Sequence, residues 1–528
     1  MRDFQQSGRS AAYAERGMIA TSHPAASLAG LDILAAGGTA ADAAIAAAAV
    51  LCIAEPQMTG IGGDCFWIHA AAGGEITAYN GSGRTPAAAG HGYFAERGID
   101  ALAATDAHAV TIPGAVDAWM RLHQSHASLP MEQLLAPAIK LAEEGCLITP
   151  RVAFDWQRFE SRVALRPPAR AAFLPEGRAL APGDRFANPA LARTLGAIAR
   201  DGAAAIYRGQ VAECLVRTLG EAGGLHSIDD FAAHAGEAVT PIRTGYRGMQ
   251  VLELPPNGQG IAALMLLNIL AATGQPIEAL SMAERMHLFA EATKLAYWER
   301  NVWCGDPDFA AFPLEKLLSA EHAAGLAARI GPDHAAEAPP PDRTNHTDTV
   351  YLAVVDANLN CVSFINSLFN AFGSGIFDAE TGILLHNRGL GFTFAPGHPN
   401  AIDARKRPLH TIIPGMVLDA QGGPAMPFGV MGGHFQAAGH AQFISHMFDR
   451  GLDPQQAAEE PRSFAFDGKL EVEASIPSRV LEQLLGWGHH LAPGEGPLGG
   501  AQAVFIDRER GVLIGGSDPR KDGLALGR

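Results

Sequence analysis

Thr349 stands at a boundary between two kinds of sequence. Before it runs a polar, proline-rich stretch over residues 331–348, and after it comes the apolar run VYLAVVD. A threonine at the first position of a chain can act as a nucleophile, because its own α-amine, with a pKa of about 8, can serve as the base. That chemistry requires the bond between Asp348 and Thr349 to be cut first. Threonine also favours strands, so an ordinary loop-to-strand junction explains the same residue.

The elements around Thr349 are predicted to hold it rigidly. Residues 331–348 form a linker, whose prolines favour an extended chain, and a β-rich, glycine-punctuated region follows. The predicted elements are strands at 349–356 and 360–367, a later strand pair followed by a helix over 434–451, an alanine-rich helix pair over 22–54, and helices over 131–146, 189–223 and 281–301.

Composition excludes several classes of function. The 528 residues are 48% hydrophobic and 18% charged, enough for a large globular α/β unit. The net charge is −16 and no basic stripe is present, so neither nucleic acid nor an anionic membrane is an expected partner. The six cysteines show no zinc-ligand spacing, so no metal or cofactor is expected. No apolar segment typical of a signal peptide is evident, which predicts a cytoplasmic protein.

Several blocks of sequence resemble the γ-glutamyltranspeptidase family of N-terminal nucleophile hydrolases. They follow the family's order along nearly the whole chain: GMIATSHPAASLAGLDILAAGGTAADAAIAAAAVLCIAEPQMTGIGGDCF, HAVTIPGAVDAW, LELPPNGQGIAALMLLNIL, HLFAEATKLAYWERNVWCGDPDF, DTVYLAVVDANLNCVSFINSLFNAFGSGI, GILLHNRG, RKRPLHTIIP and GGSDPRKDGLALG. The resemblance implies a four-layer αββα sandwich of the α/β class, built from two fragments of one precursor. Residues 1–348 would be the large subunit and residues 349–528 the small one.

The resemblance also implies roles for individual residues. Thr349 matches the family's nucleophile, which also carries out self-cleavage after Asp348. Ser367 stands where the family has a second threonine, whose hydroxyl bonds to the nucleophile. Gly432 and Gly433 match the glycine pair whose backbone N–H groups form the oxyanion hole, a role that suits glycine because no side chain blocks the approach.

The implied substrate pocket departs from the glutathione-cleaving members of the family. At the position of the arginine that binds the donor's carboxylate stands His91, and at that of the aspartate that binds its amine stands Gly391. The other replacements are Arg388 for a glutamine, His410-Thr411 for a serine pair and Phe369 for an asparagine. A buried zwitterion needs both counter-charges, so efficient γ-glutamyl recognition is not expected. His91, Arg388, His410 and Thr411 are candidates to bind a carboxylate without an amine, although Arg388 also fits a surface salt bridge.

These residues predict an autoprocessing threonine amidohydrolase that cleaves an amide of a small carboxylate-bearing substrate, of the oxamate type, through an acyl-enzyme ester. The patterns NRG and VMGG followed by Q resemble the family branch that includes oxamate amidohydrolases. Two alternatives stay open: a true γ-glutamyltransferase or glutathione hydrolase, and a non-catalytic binding or structural protein. The expected partners are a small-molecule amide and the other fragment of the same precursor. Oligomeric state is open, with a heterotetramer of two processed heterodimers as one arrangement.

Overall fold

Two seven-stranded antiparallel sheets lie face to face, and helices cover the outer face of each. The computed structural model describes residues 5, 7–337, 349–494 and 496–528. One sheet, the Thr349 sheet, has the strand order Leu524–Gly527, Met18–Thr21, Val350–Val355, Cys361–Ser367, Asp64–Ala70, Ile76–Asn80 and Glu237–Val239. The opposite sheet has the order Ala12–Ala14, Val512–Ser517, Gly500–Asp507, Pro424–Met431, Gly415–Leu418, Met249–Glu253 and Ile242–Tyr246.

The helices form the two outer layers. On the Thr349 sheet pack Pro24–Ala35, Ala40–Ala54, Ala115–His126, Met131–Glu144, Pro150–Ala164, Pro167–Phe173, Pro189–Asp201, Ala204–Tyr207, Gln210–Glu221 and Ile228–Ala232. On the opposite sheet pack Gly260–Ala272, Met282–Trp303, Leu314–Leu317, Ala320–Ala327, Phe435–Phe448 and Pro454–Glu459. The smaller elements are the helices His91–Glu96 and Ser478–Gly486, the sheet of Ser463–Phe466, Lys469–Val472 and Leu491–Pro493, and the pairs Cys146–Leu147 with Arg185–Phe186 and Phe377–Asp378 with Ile383–Leu384.

The strand Val350–Val355 shows why the sequence after Thr349 is continuously apolar. Successive side chains of a strand point to opposite faces. Val350, Leu352 and Val354 pack into the helix-side core, whereas the residues between them, Tyr351, Ala353 and Val355, pack between the two sheets. Both faces are therefore buried, and no polar alternation remains. This arrangement confirms the predicted four-layer αββα sandwich.

Residues on both sides of position 349 build each sheet. The strand Val350–Val355 pairs with Met18–Thr21, and Cys361–Ser367 pairs with Asp64–Ala70. Helix Ala40–Ala54 begins with a capping box formed by Thr39 and Asp42, and its Ala40 N–H donates to the Asp356 carboxylate at 3.1 Å. Segments from both sides of position 349 thus lie in the same sandwich. The subunit boundary itself stays a prediction, because Asp348 lies outside the described residues.

Two predicted segments differ in detail from the structure. The helical stretch over 189–223 consists of three helices, because Gly202 and Gly209 adopt φ values of 63° and 75°, which a helix cannot continue through. Of the predicted linker, only residues 331–337 are described. There the Ala335 N–H donates to the Trp487 carbonyl at 2.6 Å, so this part is held against the protein. Among the described helices, none combines the length and apolarity needed to cross a bilayer.

Burial of histidines makes the fold sensitive to acid. Burial lowers the pKa of several histidines to about 3 or 4: His23, His69, His226, His234, His410 and His446. Between their ordinary pKa of about 6.5 and these values, the unfolded chain binds protons that the folded chain does not. The free energy of unfolding therefore falls as the pH is lowered through this range.

We predict that His446→Gln weakens this acid sensitivity without touching the candidate site. His446 Nδ1 accepts a hydrogen bond from Arg450 at 3.3 Å, and a glutamine oxygen can accept the same bond. The wild type should lose about 2 kcal/mol more than the variant between pH 7 and pH 5, at about 1.4 kcal/mol per pH unit below the unfolded pKa. Urea unfolding at both pH values measures the difference, and identical losses in the two proteins would contradict the account.

Candidate active site

Thr349 lies buried immediately before the strand Val350–Val355, opposite Ser367. The register pairs Val350 with Asn366, which brings the preceding threonine level with Ser367. Thr349 is 1% exposed, and its Oγ1 lies 3.1 Å from Ser367 Oγ. The structure thus brings together the two hydroxyls that the sequence predicted as neighbours.

Gly432 and Gly433 connect the strand Pro424–Met431 to the helix Phe435–Phe448. Their φ values are 120° and 56°, and a Cβ on Gly432 would lie 3.0 Å from the Gly499 Cα. Positive φ and this close approach both require glycine. The Gly433 carbonyl accepts a 2.9 Å hydrogen bond from Gln259 Nε2, which fixes the orientation of that peptide. Their predicted role as oxyanion donors stays a prediction.

Gln259 is a buried link between two parts of the site. Its Nε2 also donates to the Thr411 carbonyl at 2.7 Å, and its Oε1 accepts from Arg300 Nη1 at 2.7 Å. The amide therefore ties the glycine turn to the segment that carries Thr411. Sequence reasoning missed this residue, because Thr411 and Gly433 lie more than a hundred residues away from it along the chain.

Gln436 is a second amide that sequence reasoning did not assign. It lies in the first turn of the helix Phe435–Phe448 and is 0% exposed. Its Nε2 is 3.2 Å from Thr349 Oγ1, and its Oε1 accepts from the Ile413 N–H at 3.1 Å. The sequence signals that point to it are the pattern VMGG followed by Q and its position on the first helical turn after a glycine pair.

Arg388 is a fully buried cation beside these hydroxyls. Its Nη1 donates to Thr411 Oγ1 at 2.7 Å and its Nη2 to Ser367 Oγ at 3.2 Å, while the guanidinium lies 4.2 Å from the centre of the Phe369 ring. Nε has no hydrogen-bond partner. Burial lowers the pKa of Arg388 to about 9. The surface salt bridge considered for this residue is wrong, since it is 0% exposed and no carboxylate in the described part of the chain forms an ion pair with it.

Asp64 is a carboxylate whose negative charge acts on Arg388. Sequence reasoning did not predict a role for it. It faces Ser367 across the strand pair, with Oδ1 accepting the N–H groups of Gly83 and Gly114 at 3.2 and 3.1 Å. Its Oδ2 accepts from His410 Nε2 at 3.0 Å. Burial opposes ionisation, but the attraction of His386, the bond from His410 and the Arg388 charge hold the pKa of Asp64 below its ordinary value.

The predicted substrate-binding residues fall into two groups. Arg388 and Thr411 lie in the cluster around Ser367. His410 lies there too, but its Nε2 donates to Asp64 and its Nδ1 accepts from the Ile412 N–H at 3.3 Å, so both ring nitrogens are engaged by the protein. His91 begins the helix His91–Glu96, where its N–H donates to Asp403, and none of its described hydrogen bonds reaches the cluster.

The backbone at Gly391 leaves no room for the aspartate found in glutathione-cleaving relatives. A Cβ at this position would collide with the Leu409 carbonyl oxygen. The path of the chain therefore disfavours an aspartate at position 391.

One group of side chains in the described part of the chain has the geometry of a metal site. The ligand atoms of His287, Glu291 and His489 lie within 4.8 Å of one another. Each already has a protein partner: His287 Nδ1 bonds His489 Nε2 at 2.8 Å, and Glu291 pairs with Lys294 at 2.6 Å. His489 also lines a cavity of about 480 Å³, whose lining includes none of the predicted site residues. The sequence spacing did not predict this group, because His489 is distant along the chain.

Comparison with known proteins matches this chain over nearly its full length. The γ-glutamyltranspeptidase family model matches residues 26–527. The glutathione hydrolase-like YwrD proenzyme of Bacillus subtilis is 37% identical over 521 residues, covering 97% of this chain and 98% of that protein. The oxamate amidohydrolase proenzyme of Klebsiella pneumoniae is 32% identical over 536 residues, covering 97% of this chain and 98% of that protein. The similarity therefore spans the segments on both sides of Thr349.

A solved structure supports the same relationship. The crystal structure of cephalosporin acylase from Bacillus halodurans superposes with a TM-score of 0.93 at 38% identity, covering 100% of this chain and 99% of that chain. A match at this level covers the sheets, the outer helices and the segments that carry Thr349, Ser367 and Gly433.

We predict that Asp64→Asn destabilises the protein by about 3 kcal/mol, the scale for breaking a buried charged contact. In the variant, the N–H groups of Gly83 and Gly114 would hold the amide oxygen of the new asparagine. Its amide nitrogen would then face His410 Nε2–H, so that two hydrogen-bond donors would oppose each other. His410 cannot move its proton to Nδ1, because that atom accepts the Ile412 N–H. Urea unfolding measures the loss, with the exposed Asp32→Asn as the control. A loss below about 1 kcal/mol would show that the carboxylate does not organise the cluster.

Proposed function

The chain belongs to the γ-glutamyltranspeptidase family and is a hydrolase of C–N amide bonds, and we propose that it cuts itself before Thr349 and then uses Thr349 as its nucleophile. The observation that carries the proposal is the buried Thr349 Oγ1, held 3.1 Å from Ser367 Oγ immediately before the central strand Val350–Val355. The proenzyme names of its relatives support the self-cleavage step. Residues 1–348 and 349–528 would then be the two subunits.

Self-cleavage follows from the position of the hydroxyl. Thr349 Oγ attacks the carbonyl carbon of residue 348, a C–O bond forms, and the C–N peptide bond breaks. The hydroxyl proton ends on the released α-amine of Thr349. Water then hydrolyses the ester, which frees the hydroxyl and leaves a carboxylate on residue 348. The reaction needs only water as a co-reactant.

Turnover repeats this chemistry on a substrate amide. The α-amine of Thr349 takes the proton from Oγ as Oγ attacks the amide carbonyl, and it passes the proton to the departing nitrogen. The backbone N–H groups at Gly432 and Gly433 are proposed to stabilise the oxyanion. Water resolves the acyl ester, giving a carboxylic acid and ammonia or an amine.

Arg388 is the basis for the proposed substrate class. A buried guanidinium without a carboxylate partner is costly, and an unmade hydrogen bond at Nε adds to the cost. A substrate carboxylate would relieve both, since arginine can bind carboxylates through two parallel N–H bonds. No carboxylate stands at Gly391 to pair an ammonium group. These features favour a small amide that carries a carboxylate and no α-amine, of which oxamate is the simplest.

Two other substrate classes come from the relatives. A glutathione hydrolase or γ-glutamyltransferase would need an ammonium site, which the backbone at Gly391 does not accommodate. An acylase, as in the Bacillus halodurans relative, would use the same nucleophile but release an amine in place of ammonia. The non-catalytic alternative does not fit a chain that retains Thr349, Ser367 and both glycines.

A cytoplasmic location is proposed, because all six cysteines are buried free thiols.

We predict that the purified protein consists of two fragments on a denaturing gel, with the smaller beginning at Thr349. Thr349→Ala should remain a single chain, because it lacks the attacking oxygen. Thr349→Ser is the matched control, since it keeps a hydroxyl and should still be cut. N-terminal sequencing and intact-mass measurement check the position. A single full-length wild-type chain that hydrolyses amides would rule out the mechanism.

We predict that Arg388 sets the preference for a carboxylate. Oxamate and its neutral analogue oxamide share the amide to be cut, so the ratio of their kcat/KM values cancels any effect on the nucleophile. Arg388→Gln should lower this ratio about 30-fold or more, as expected when one partner of a buried charge pair is removed. Arg388→Lys keeps the positive charge but cannot form two parallel N–H bonds, so its oxamate/oxamide ratio should lie between those of the wild type and Arg388→Gln. An equal loss for both substrates in Arg388→Gln would show that the carboxylate is bound elsewhere.

A further inference from the structure

The orientation of the Gln436 side chain is determined by its neighbours. The two ends of a glutamine amide differ only in that the oxygen accepts and the nitrogen donates hydrogen bonds. One end lies 3.1 Å from the Ile413 nitrogen, whose N–H can only donate, so this end is Oε1. The other end, Nε2, therefore faces Thr349 Oγ1 at 3.2 Å. Thr349 Oγ1 receives a hydrogen bond from Gln436.

Ser367 also lies beside this oxygen. Its Oγ is 3.1 Å from Thr349 Oγ1, and it accepts from the Phe369 N–H at 2.9 Å and from Arg388 Nη2 at 3.2 Å. The positive charge of Arg388 polarises the Ser367 hydroxyl.

We propose that Gln436 is a catalytic residue that directs the Thr349 hydroxyl for attack. With the Gln436 N–H donating to one lone pair of Oγ1, the Thr349 hydroxyl cannot point its own proton at Gln436. The second lone pair then forms the bond to the carbonyl carbon, and the proton lies away from Gln436, where a base collects it. This inference rests on the proposed function, because it assigns a further group to the same nucleophile.

The Gln436 donor assists the chemical step more than the resting state. As Oγ1 loses its proton it gains negative charge, and hydrogen bonds to an ionised acceptor are shorter and stronger than neutral ones. An interaction that strengthens in the transition state raises kcat, and does so without tightening substrate binding. Gln436 suits this role because it is 0% exposed and anchored at its other end by Ile413, so it needs no rearrangement.

The placement of Gln436 also links it to the glycine turn. It follows Gly433 by three residues, in the first turn of the helix Phe435–Phe448. The helix fixes its distance from that turn, so one rigid segment presents both the proposed oxyanion donors and the donor to Oγ1. A shift of this segment would disturb both interactions together.

Self-cleavage provides a test that does not depend on knowing the substrate. Gln436→Met keeps the approximate shape but removes the donor, and we expect it to slow self-cleavage about 10- to 100-fold, the scale for losing a hydrogen bond to a charged group. Gln442→Met is the matched control: Gln442 lies on the same helix, is also buried, and donates to the Ser463 carbonyl at 3.0 Å. The control should cleave at close to the wild-type rate. Denaturing gels during cell-free synthesis follow the cleavage.

Gln436→Glu supplies a pH signature that a purely structural role would not produce. The new carboxyl still offers an oxygen to the Ile413 N–H, so the variant is expected to fold. Its other oxygen can donate to Thr349 only when protonated, so self-cleavage should be slow near neutral pH and recover as the pH falls through the raised pKa of a buried carboxyl. On fully processed Gln436→Glu, kcat should fall while KM stays close to the wild-type value.

The outcomes separate this inference from the proposed function. If Thr349→Ala is cut at the same position, the proposed nucleophile is wrong. If the wild type is cut before Thr349 but folded Gln436→Met matches the Gln442→Met rate, the role of Gln436 is overturned. It is also overturned if Gln436→Glu is cut fastest at high pH, where its carboxylate is ionised and cannot donate.

Discussion

The register of one antiparallel strand pair decides what this site can do. Val350–Val355 and Cys361–Ser367 pair so that Thr349 and Ser367 stand level, with their oxygens 3.1 Å apart. Side chains alternate between the two faces of a strand, so a slip of one residue would turn these hydroxyls to opposite faces. Strands from the first 70 residues flank the pair on both sides and leave it no freedom to slip. The apolar run after Thr349 is therefore the means by which a single hydroxyl is placed.

Beside this strand pair the protein buries two opposite charges, Arg388 and Asp64, without a direct ion pair between them. Arg388 donates to Ser367 and Thr411, while Asp64 is held by two backbone N–H groups and His410, and the two charges never touch. A direct ion pair between Arg388 and Asp64 would neutralise the guanidinium, which could then not bind the carboxylate of the proposed substrate. Separation through neutral hydroxyls and an imidazole keeps the positive charge available, and the attraction at longer range offsets part of the cost of burying it.

Much of the fold could be predicted from the sequence, because its signals are local. The apolar run after Thr349, the alanine-rich helix pair broken at Gly37-Gly38 and the helix after Gly433 each appear as continuous patterns. Resemblance to a known family then placed Thr349 and Ser367 together. Asp64, Gln259 and Gln436 escaped prediction for a common reason: each acts on a partner 80 or more residues away, and only the strand order brings them together. His91 shows the reverse case, since a matched position does not ensure contact with the cluster.

The interleaving of the sheets has a consequence for the life of the protein after cleavage. Strands from both fragments pair with each other in the two sheets: Met18–Thr21 pairs with Leu524–Gly527, and Ala12–Ala14 pairs with Val512–Ser517. Once the proposed cut is made, the fragments can separate only by dismantling both sheets, so the nicked particle survives through a kinetic barrier. Refolding after complete denaturation then becomes a bimolecular reaction, whose rate depends on concentration, whereas the uncut precursor finds the same structure within one chain. The chain would thus fold before it is cut, and the cut protein would keep the native structure because its fragments separate slowly.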